Sequence, residues 1–242
     1  LWKDTLIVFT TDHGFLLGEK ELLGKNYMPA YNEVYHIPLL IHLPGQTHSA
    51  RSSALTQNID LFPTILEYFG ISPASCPDKL HGKSLMPLLR GQAGHIRESA
   101  IYGMFGRQVN ITDGHYTYFA SAVRPDNAPL SLYTAMPTTI NHFWDRAHVK
   151  DMRAIETGRF LKWTDYPVFR IPGGETALSD VSHRFDRRYE VVSENMLFDI
   201  DADYAQTINL CGGEEEARMR VLLRQALEAH DSPEEQYARL GL

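Results

Sequence analysis

The stretch Asp4-Thr-Leu-Ile-Val-Phe-Thr-Thr-Asp-His-Gly14 combines a short apolar run with a polar turn. Thr5 to Thr10 is rich in β-branched and apolar residues, a pattern that predicts a strand covered on both faces in a parallel sheet. Asp12, His13 and Gly14 follow at once, and ligands of open α/β sheets collect at the carboxyl ends of strands. A carboxylate and an imidazole there can bind a cation. Taken alone, an Asp-His-Gly turn is more often a plain loop than a metal site, so the assignment depends on the neighbouring sequence.

The next segments resemble blocks of a known family. Gly24-Lys25 places an ammonium group after the turn, and Asn32-Glu-Val-Tyr-His-Ile-Pro-Leu-Leu-Ile-His-Leu-Pro-Gly45 predicts a second buried strand closed by Pro-Gly. Together they resemble the sulfatase family within the alkaline phosphatase superfamily. In that family a T/S-D-H/N-G turn supplies the last two metal ligands, a G-K lysine holds the oxyanion of the substrate, and E-x-x-x-x-P-L-x-x-x-x-P-G starts the next strand.

The resemblance implies roles for individual residues. Asp12 and His13 would be metal ligands, and Lys25 would be both a catalytic and a substrate-binding residue, because an ammonium group offsets charge that grows on the ester oxygens. His36 lies near the place where the family often has arginine, and His81 near a point that approaches the substrate in some relatives. Both histidines are weaker substrate-binding candidates, and a structural role fits each of them as well.

The resemblance also implies a cofactor and a modified nucleophile. The divalent ion of the family is usually Ca²⁺, whereas Mn²⁺ or Zn²⁺ would suit a phosphoesterase. Sulfatases carry formylglycine in a C-x-P-x-R motif, and Cys76-Pro-Asp-Lys79 is not that motif, because its proline comes too early and no arginine follows. The chain also opens at Leu1, one step before a core strand. We therefore expect the C-terminal half of a longer protein, whose upstream half supplies the formylglycine and the other ligands.

Composition excludes several classes of protein. The 242 residues are 43% hydrophobic, enough for a substantial core, and carry a net charge of −7 without a basic tract, which argues against nucleic-acid binding. No apolar run approaches membrane-spanning length, and no signal peptide is recognisable. For Cys76 and Cys211, two unbridged thiols are a simpler prediction than a disulfide.

Periodicity predicts the remaining elements. Residues 56–70 read as a helix capped by Asp60, with one apolar face formed by Ile59, Phe62, Ile65, Leu66 and Phe69. Ser84 is expected to cap a short helix. Three strands are predicted at Ala100 to Met104, Arg107 to Thr112 and Tyr116 to Ser121, with a hairpin turn at Thr112-Asp-Gly-His115. A last strand precedes a capped turn containing Asp199, Asp201 and Asp203, which lacks the features of a calcium loop. A terminal amphipathic helix is predicted over 214–229, with Ala217, Val221, Leu222 and Leu227 among its apolar positions, followed by a polar tail.

An unfamiliar insertion occupies about residues 122–194. Its residues Ile140, Phe143, Trp144, Ala147, Met152 and Ile155 predict a helix, and His183, Arg187 and Arg188 precede the last strand. Three roles fit this segment equally well: it selects the substrate, forms a dimer contact, or packs on the predicted meander of strands. We predict two domains. Residues 1–95 form the C-terminal part of a catalytic α/β domain, and residues 96–242 form an α+β subdomain that contains the insertion.

The expected fold is therefore α/β, the C-terminal part of an alkaline-phosphatase-like α/β/α sandwich, followed by a small antiparallel sheet and a C-terminal helix. The implied activity is metal-dependent hydrolysis of a sulfate ester on a small molecule or glycan, incomplete in this chain by itself. A phosphodiester or phosphonate monoester hydrolase of the same superfamily, and a domain that only binds anions or a partner, are the alternatives. The sequence is also compatible with an assembly of identical subunits. The resemblance favours the periplasm or secretion and leaves the cytoplasm open.

Overall fold

The computed structural model describes residues 2–25, 28–47, 49–136, 138, 143, 151–173 and 194–242. The chain divides into two compact units. The first comprises Leu1–Ala100, Ile111–Thr117 and Phe198–Asn209, and the second comprises Ile101–Asn110, Tyr118–Leu197 and Leu210–Leu242. The domain boundary predicted at residues 95 and 96 stays a prediction.

The first unit opens with a two-stranded ribbon. Strands β1 (Ile7–Thr10) and β4 (Leu39–His42) pair antiparallel, with Phe9 opposite Leu40. Two details of the prediction are therefore wrong for the described residues. The pairing is not parallel, and the strands are not covered on both faces, since Phe9 is 64% and Leu40 is 61% exposed. Apolar content predicted the strands correctly, but it does not report which other segments cover them.

A hairpin and a short helix lie between these two strands in the sequence. The segment contains the short strands β2 (Leu16–Leu17) and β3 (Leu23–Gly24), which pair antiparallel, and the helix α1 (Asn32–Tyr35). Leu16, Met28 and Val34 form a small buried core here, against which other side chains pack. The segment is thus a folded hairpin and helix beside the end of β1.

The next part of the first unit is helical. A 3₁₀ turn at Asn58–Asp60 leads into α2 (Leu61–Tyr68). Ser84 accepts a hydrogen bond from the backbone N–H of Met86 at the start of α3 (Met86–Leu89), but Leu85 holds the N-cap position that was predicted for Ser84. Most of the apolar face that the sequence predicted for this helix is exposed in the structure. The exposed fractions of Ile59, Phe62, Ile65 and Phe69 run from 42% to 70%, while Pro63 and Thr64 are buried.

The predicted hairpin follows. Strands β5 (Ala100–Gly103), β6 (Val109–Thr112) and β7 (Tyr116–Ala120) agree with the sequence-based strands. The turn between β6 and β7 is formed by Asp113, whose carboxylate accepts the backbone N–H groups of His115 and Tyr116, and by Gly114, whose φ of 93° suits glycine. The sequence signal for a hairpin is confirmed.

The second unit contains a three-stranded antiparallel sheet within the unfamiliar insertion. Its strands are β8 (Ser131–Thr134), β9 (Glu156–Gly158) and β10 (Val168–Pro172), in the order β8–β10–β9. Of the predicted helix, Met152–Ala154 is a 3₁₀ turn and Ile155 leads into β9. Ile140, Trp144, Ala147, His183, Arg187 and Arg188 lie outside the described residues.

The last strand and the terminal helix appear where the sequence placed them. Strand β11 (Met196–Asp199) lies beside β7 in a four-stranded sheet of order β11–β7–β6–β5. Helix α4 (Glu214–Ala229) buries a stripe of Met219, Leu223 and Leu227. Ala217 and Val221, which were predicted on the apolar side, are exposed.

The tail predicted to be only polar forms another helix, α5 (Glu234–Leu240). Its Arg239 is almost fully buried, and its guanidinium donates hydrogen bonds to the side chains of Asn127 and Gln236 and to the carbonyl oxygen of Arg107. Burial lowers the pKa of Arg239 to about 10. The charged residue is the anchor of this helix, which composition could not reveal.

The cysteines are thiols and not halves of a disulfide, as predicted. Burial, together with the neighbouring carboxylate of Glu216, raises the pKa of Cys211 to about 12. Within the described ranges, none of the helices has the length and apolar character needed to span a membrane.

Candidate functional site

The turn after β1 holds its carboxylate in a fixed direction. One oxygen of Asp12, Oδ1, accepts hydrogen bonds from the backbone N–H of His13 at 3.0 Å and from the hydroxyl of Thr11 at 3.3 Å. The other oxygen, Oδ2, lies 3.2 Å from Nε2 of His13. The Asp12 side chain is 82% exposed, so its second oxygen is available to a ligand.

Gly14 allows the turn to press against α1. Its backbone N–H donates to the carbonyl oxygen of Val34 at 2.7 Å. A Cβ atom at this position would lie 1.9 Å from the carbonyl oxygen of Glu33. Only glycine lets the two backbones approach so closely, which explains why this residue ends the motif.

The imidazole of His13 is oriented by the backbone. Its Nδ1 lies 2.9 Å from the carbonyl oxygen of Gly14, a distance at which a protonated Nδ1 donates. That tautomer leaves a lone pair on Nε2, the nitrogen beside Asp12. Nε2 also contacts the ammonium group of Lys25. The structure therefore brings Asp12, His13 and Lys25 together, although Lys25 lies 12 residues after His13.

Lys25 reaches this place because of the β2–β3 hairpin. It follows β3 directly, and Gly24 before it has a φ of 133°, a value open to glycine. The pairing of Leu16 with Gly24 returns the chain to the end of β1. Lys25 is partly buried, so its charge is less screened by solvent than that of an exposed lysine.

The electrostatic state of Asp12 suits a cation ligand. Desolvation acts to raise the pKa of this carboxyl, but the charge of His13 and hydrogen bonds from the His13 backbone and from Thr11 outweigh it. The net pKa lies below its usual value of 3.8. Asp12 is consequently a carboxylate at neutral pH.

The spacing of the two donor atoms fits neighbouring positions around one divalent ion. Metal–ligand bonds of about 2.0–2.4 Å that meet near a right angle place their donors roughly 3 Å apart. The Asp12–His13 separation of 3.2 Å agrees with this geometry. Among the described residues, no group of three histidine, cysteine, aspartate or glutamate side chains is arranged to hold a metal. Asp12 and His13 therefore fit part of a ligand set.

The other two histidine candidates lie elsewhere in the first unit. His36 is exposed at the end of α1, with its Nδ1 3.3 Å from the hydroxyl of Tyr204. His81 is partly buried in the loop before α3, next to Gly82, where a Cβ atom would lie 2.0 Å from the carbonyl oxygen of Ile59. Neither observation assigns a substrate contact, so both roles stay predictions.

Several residues around the site have roles that sequence reasoning missed. Lys20 donates to the carbonyl oxygens of Ala205 and Gln206. The buried Gln206 accepts the backbone N–H of Asn32 at 2.8 Å. These contacts join positions more than 170 residues apart. The sequence alone does not indicate that these residues are in contact.

Part of the chain is similar in sequence to known proteins. Residues 1–71 match the family model described as Sulfatase. Over 91 residues the chain is 44% identical to the multifunctional alkaline phosphatase superfamily protein PehA of Trinickia caryophylli, covering 36% of this chain and 16% of that protein. N-acetylglucosamine-6-O-sulfatase of Bacteroides thetaiotaomicron is 37% identical, covering 37% and 15%. Choline-sulfatase of Rhizobium meliloti is 28% identical over 212 residues, covering 77% and 41%.

Solved structures show the same fold. The structure of BT4656 in complex with its substrate D-glucosamine-2-N,6-O-disulfate superposes on this chain with a TM-score of 0.52 at 21% identity, covering 92% of this chain and 33% of BT4656. Phosphonate monoester hydrolase of Agrobacterium radiobacter also gives 0.52, at 19% identity, covering 94% and 35%.

The class defined by the fold is the alkaline-phosphatase-like α/β class, as the sequence predicted. Within it, the resemblance to the sulfatase family is confirmed by the family model and by the sulfatase relatives. The chain spans between 15% and 41% of the length of the three curated relatives described above.

Proposed function

We propose that this chain contributes part of the active site of a sulfuric ester hydrolase. One observation carries the proposal. The carboxylate of Asp12, the imidazole of His13 and the ammonium group of Lys25 meet at the end of β1, inside the segment that matches the sulfatase family. Sulfatase relatives support the reaction class, and the nucleophile would come from a part of the protein outside residues 1–242.

The residues of the turn would hold a divalent cation. Asp12 and His13 supply two donors, and a site completed by further carboxylates would suit Ca²⁺. Once bound, such an ion supplies Lewis-acid activation and orients the reacting groups. Thr11 and the backbone of His13 fix the Asp12 carboxylate, while the carbonyl oxygen of Gly14 fixes the His13 ring. The Asp12 carboxylate and the His13 ring are therefore oriented before an ion binds.

Lys25 would bind the sulfate group. A cation beside Nε2 of His13 would take the place of the lysine contact with that nitrogen, which leaves the ammonium group free to face an anion. There it would offset the negative charge that grows on the ester oxygens as the bond to sulfur breaks. His36 and His81 remain weaker candidates for contacts to the rest of the substrate.

A phosphonate or phosphodiester hydrolase is the second candidate. The observation that favours it is the imidazole donor of His13, since nitrogen ligands suit Mn²⁺ or Zn²⁺ better than Ca²⁺. The similarity to phosphonate monoester hydrolase points in the same direction at the level of fold. A third candidate, a domain that only binds anionic glycans or a partner, would need the same basic and metal-binding groups without a nucleophile.

The substrate and partners follow from the same proposal. Sulfated glycans or sulfated small molecules are the substrates we propose, in line with the names of the sulfatase relatives. The apolar face of the β1–β4 ribbon, which includes Phe9 and Leu40, offers a contact surface for the half of the enzyme that carries the formylglycine. An assembly of identical subunits remains part of the proposal.

Asp12→Ala tests this function in the native enzyme. We expect it to abolish binding of the catalytic divalent ion, measured by calorimetry, and turnover of 4-nitrophenyl sulfate, because the ion loses a fixed carboxylate. Asp4→Ala, an exposed carboxylate at the other end of the same strand, serves as the matched control and should behave like the wild type. Near-normal sulfate release by Asp12→Ala would remove the central assignment.

A further inference from the structure

A tight turn at residues 203–206, the anchor turn, lies close to the candidate site in the first unit. The backbone N–H of Gln206 donates to the carbonyl oxygen of Asp203 at 2.9 Å. The Asp203 carboxylate accepts the backbone N–H groups of Thr207 and Ile208 at 2.6 and 2.8 Å. Gln206 adopts a φ of 53°, unusual for a residue with a side chain, and is only 2% exposed. A buried polar residue in such a backbone conformation is held there by specific contacts.

The first of these contacts is with α1. The side-chain oxygen of Gln206 accepts the backbone N–H of Asn32, the first residue of the helix, which has no acceptor within the helix itself. In return the Asn32 amide donates to the carbonyl oxygen of Tyr204 at 2.9 Å. The next residues of α1 supply the backbone against which Gly14 packs. Gln206 is thus one step removed from the Asp12–His13 turn.

The second contact is with the tip of the β2–β3 hairpin. Lys20 donates to the carbonyl oxygens of Ala205 and Gln206 and lies 4.4 Å above the ring of Tyr31. Lys20 itself has a φ of 54°, so its backbone is also held in an uncommon conformation. The hairpin ends at Lys25. The anchor turn therefore holds the segments on both sides of the site.

The amide of Gln206 has its own support. Its nitrogen donates to the hydroxyl of Thr117 on β7 at 2.8 Å, and this contact is buried. Because both ends of the amide are hydrogen-bonded, the side chain has one orientation. A side chain with both ends engaged can transmit a fixed position to α1.

We propose that Gln206 is a positioning residue for the reaction, acting through α1 and through the hairpin. It holds the backbone under Gly14 and the hairpin that carries Lys25, so that the metal-binding turn and the anion-binding lysine keep their mutual distance. This inference rests on the proposed function. It adds a residue from the C-terminal part of the chain to a site formed by residues 11–25.

Gln206→Met in the native enzyme is the first test. Methionine has a similar volume but makes neither side-chain hydrogen bond. We expect the kcat for 4-nitrophenyl sulfate and the affinity for the catalytic divalent ion each to fall by about 10- to 100-fold, the usual cost of losing support behind metal ligands. The KM should change less than kcat. Gln206→Glu should restore most of both, since a carboxylate can accept from Asn32 and from the hydroxyl of Thr117.

If Gln206 only stabilised the fold, Gln206→Met would leave the kcat and the ion affinity of the folded protein unchanged. All assays are run well below the melting temperature of each variant, so that loss of folded protein does not contribute. Asp201→Asn, in the same segment but directed at His115, is the matched control and should keep wild-type kcat. Wild-type kcat and ion affinity in Gln206→Met would overturn the inference, as would an equal loss in Asp201→Asn. An inactive wild-type enzyme would instead refute the proposed function.

Discussion

At the scale of single residues, Gly14 illustrates how a site is set by backbone contact. Asp12 and His13, the proposed metal ligands, directly precede this glycine, which has no side chain to keep the carbonyl oxygen of Glu33 at a distance. A side chain of any size would push the turn away from α1. The hydrogen bond from Gly14 to Val34 then closes the contact.

Gly14→Ala is therefore expected to destabilise the fold and to weaken the site together. Forcing a methyl group into this contact should cost about 1–3 kcal/mol in the free energy of unfolding, measured with urea. Gly94→Ala is the matched control, because a Cβ atom there meets nothing within 4 Å and no positive φ is required. Equal stability of the two variants would show that the turn is not packed as described.

Sequence blocks singled out Asp12, His13 and Lys25, whose roles stay predictions, but not the residues that contact the segments around them. Asp12, His13 and Lys25 lie in recognisable blocks, and the structure brings them together as expected. Lys20 and Gln206 act through carbonyl and amide contacts with residues distant in the chain. No local pattern encodes such contacts, because any lysine or glutamine of suitable reach could make them.

At the scale of elements, α2 is held at its start by a buried ion pair. Both carboxylate oxygens of Asp60 accept hydrogen bonds from the guanidinium of Arg97. The exposed fractions of the two side chains are 0% and 6%. The same carboxylate accepts the backbone N–H groups of Gln57 and Lys83. Asp60 thus joins three segments. Its carboxylate makes no capping hydrogen bond to α2, which is the role that its position predicted.

Arg97→Met should destabilise the first unit strongly. It would leave the charge of Asp60 buried without its partner, and such losses cost about 3–5 kcal/mol. Arg90→Met removes a more exposed ion pair between α2 and the residue after α3, the 3.3 Å contact with Glu67, and should cost at most about 1 kcal/mol. Urea unfolding of both variants measures the difference. A loss in Arg97→Met no larger than in the control would contradict the account.

The tip of the β6–β7 hairpin is linked to the turn after β11 by a histidine. The Nδ1 atom of His115 lies 2.5 Å from Asp201, and its Nε2 lies 3.6 Å from Asp199. The hydrogen bond with Asp201 raises the pKa of His115 above 6.5; desolvation opposes it, and the charges of Asp199, Asp201 and Asp113 add to the increase. Protonation therefore strengthens this link.

The stability supplied by His115 should depend on pH in one direction. Because the pKa is raised in the folded state, the contribution is complete below the unfolded value of about 6.5 and disappears as the pH rises through the folded value. The difference in free energy of unfolding between the wild type and His115→Gln should be larger at about pH 5.5 than at about pH 8. A difference that is equal at both pH values, or larger at the higher one, would contradict the prediction.

Element prediction from sequence worked where the pattern is local. Helix α4 and strands β5 to β7 have strong periodicity or turn signals, and they formed as predicted. Helix α5 was missed because a buried arginine, Arg239, anchors a polar sequence. The antiparallel pairing of β1 with β4 was missed because apolar content does not encode strand direction.

At the scale of the whole molecule, exposed apolar surface is a notable feature of the first unit. Phe9 and Leu40 on the ribbon, Phe62 on α2 and Phe69 directly after α2 are each more than half exposed. Surfaces of this kind commonly mark contacts with other protein segments. Curated relatives are longer than the part that this chain matches. Both facts agree with the proposal that the active site is completed by protein outside residues 1–242.

The most direct test of the central claim is the ratio of kcat/KM for 4-nitrophenyl sulfate to that for 4-nitrophenyl phenylphosphonate. It is measured with the native enzyme and again with Lys25→Met. We predict that the sulfate ester is the better substrate and that Lys25→Met lowers its kcat by about 10²- to 10³-fold, the usual effect of removing a charge-stabilising group. A preference for the phosphonate would make the enzyme a phosphonate hydrolase. Undiminished sulfate turnover by Lys25→Met would contradict the role of the lysine.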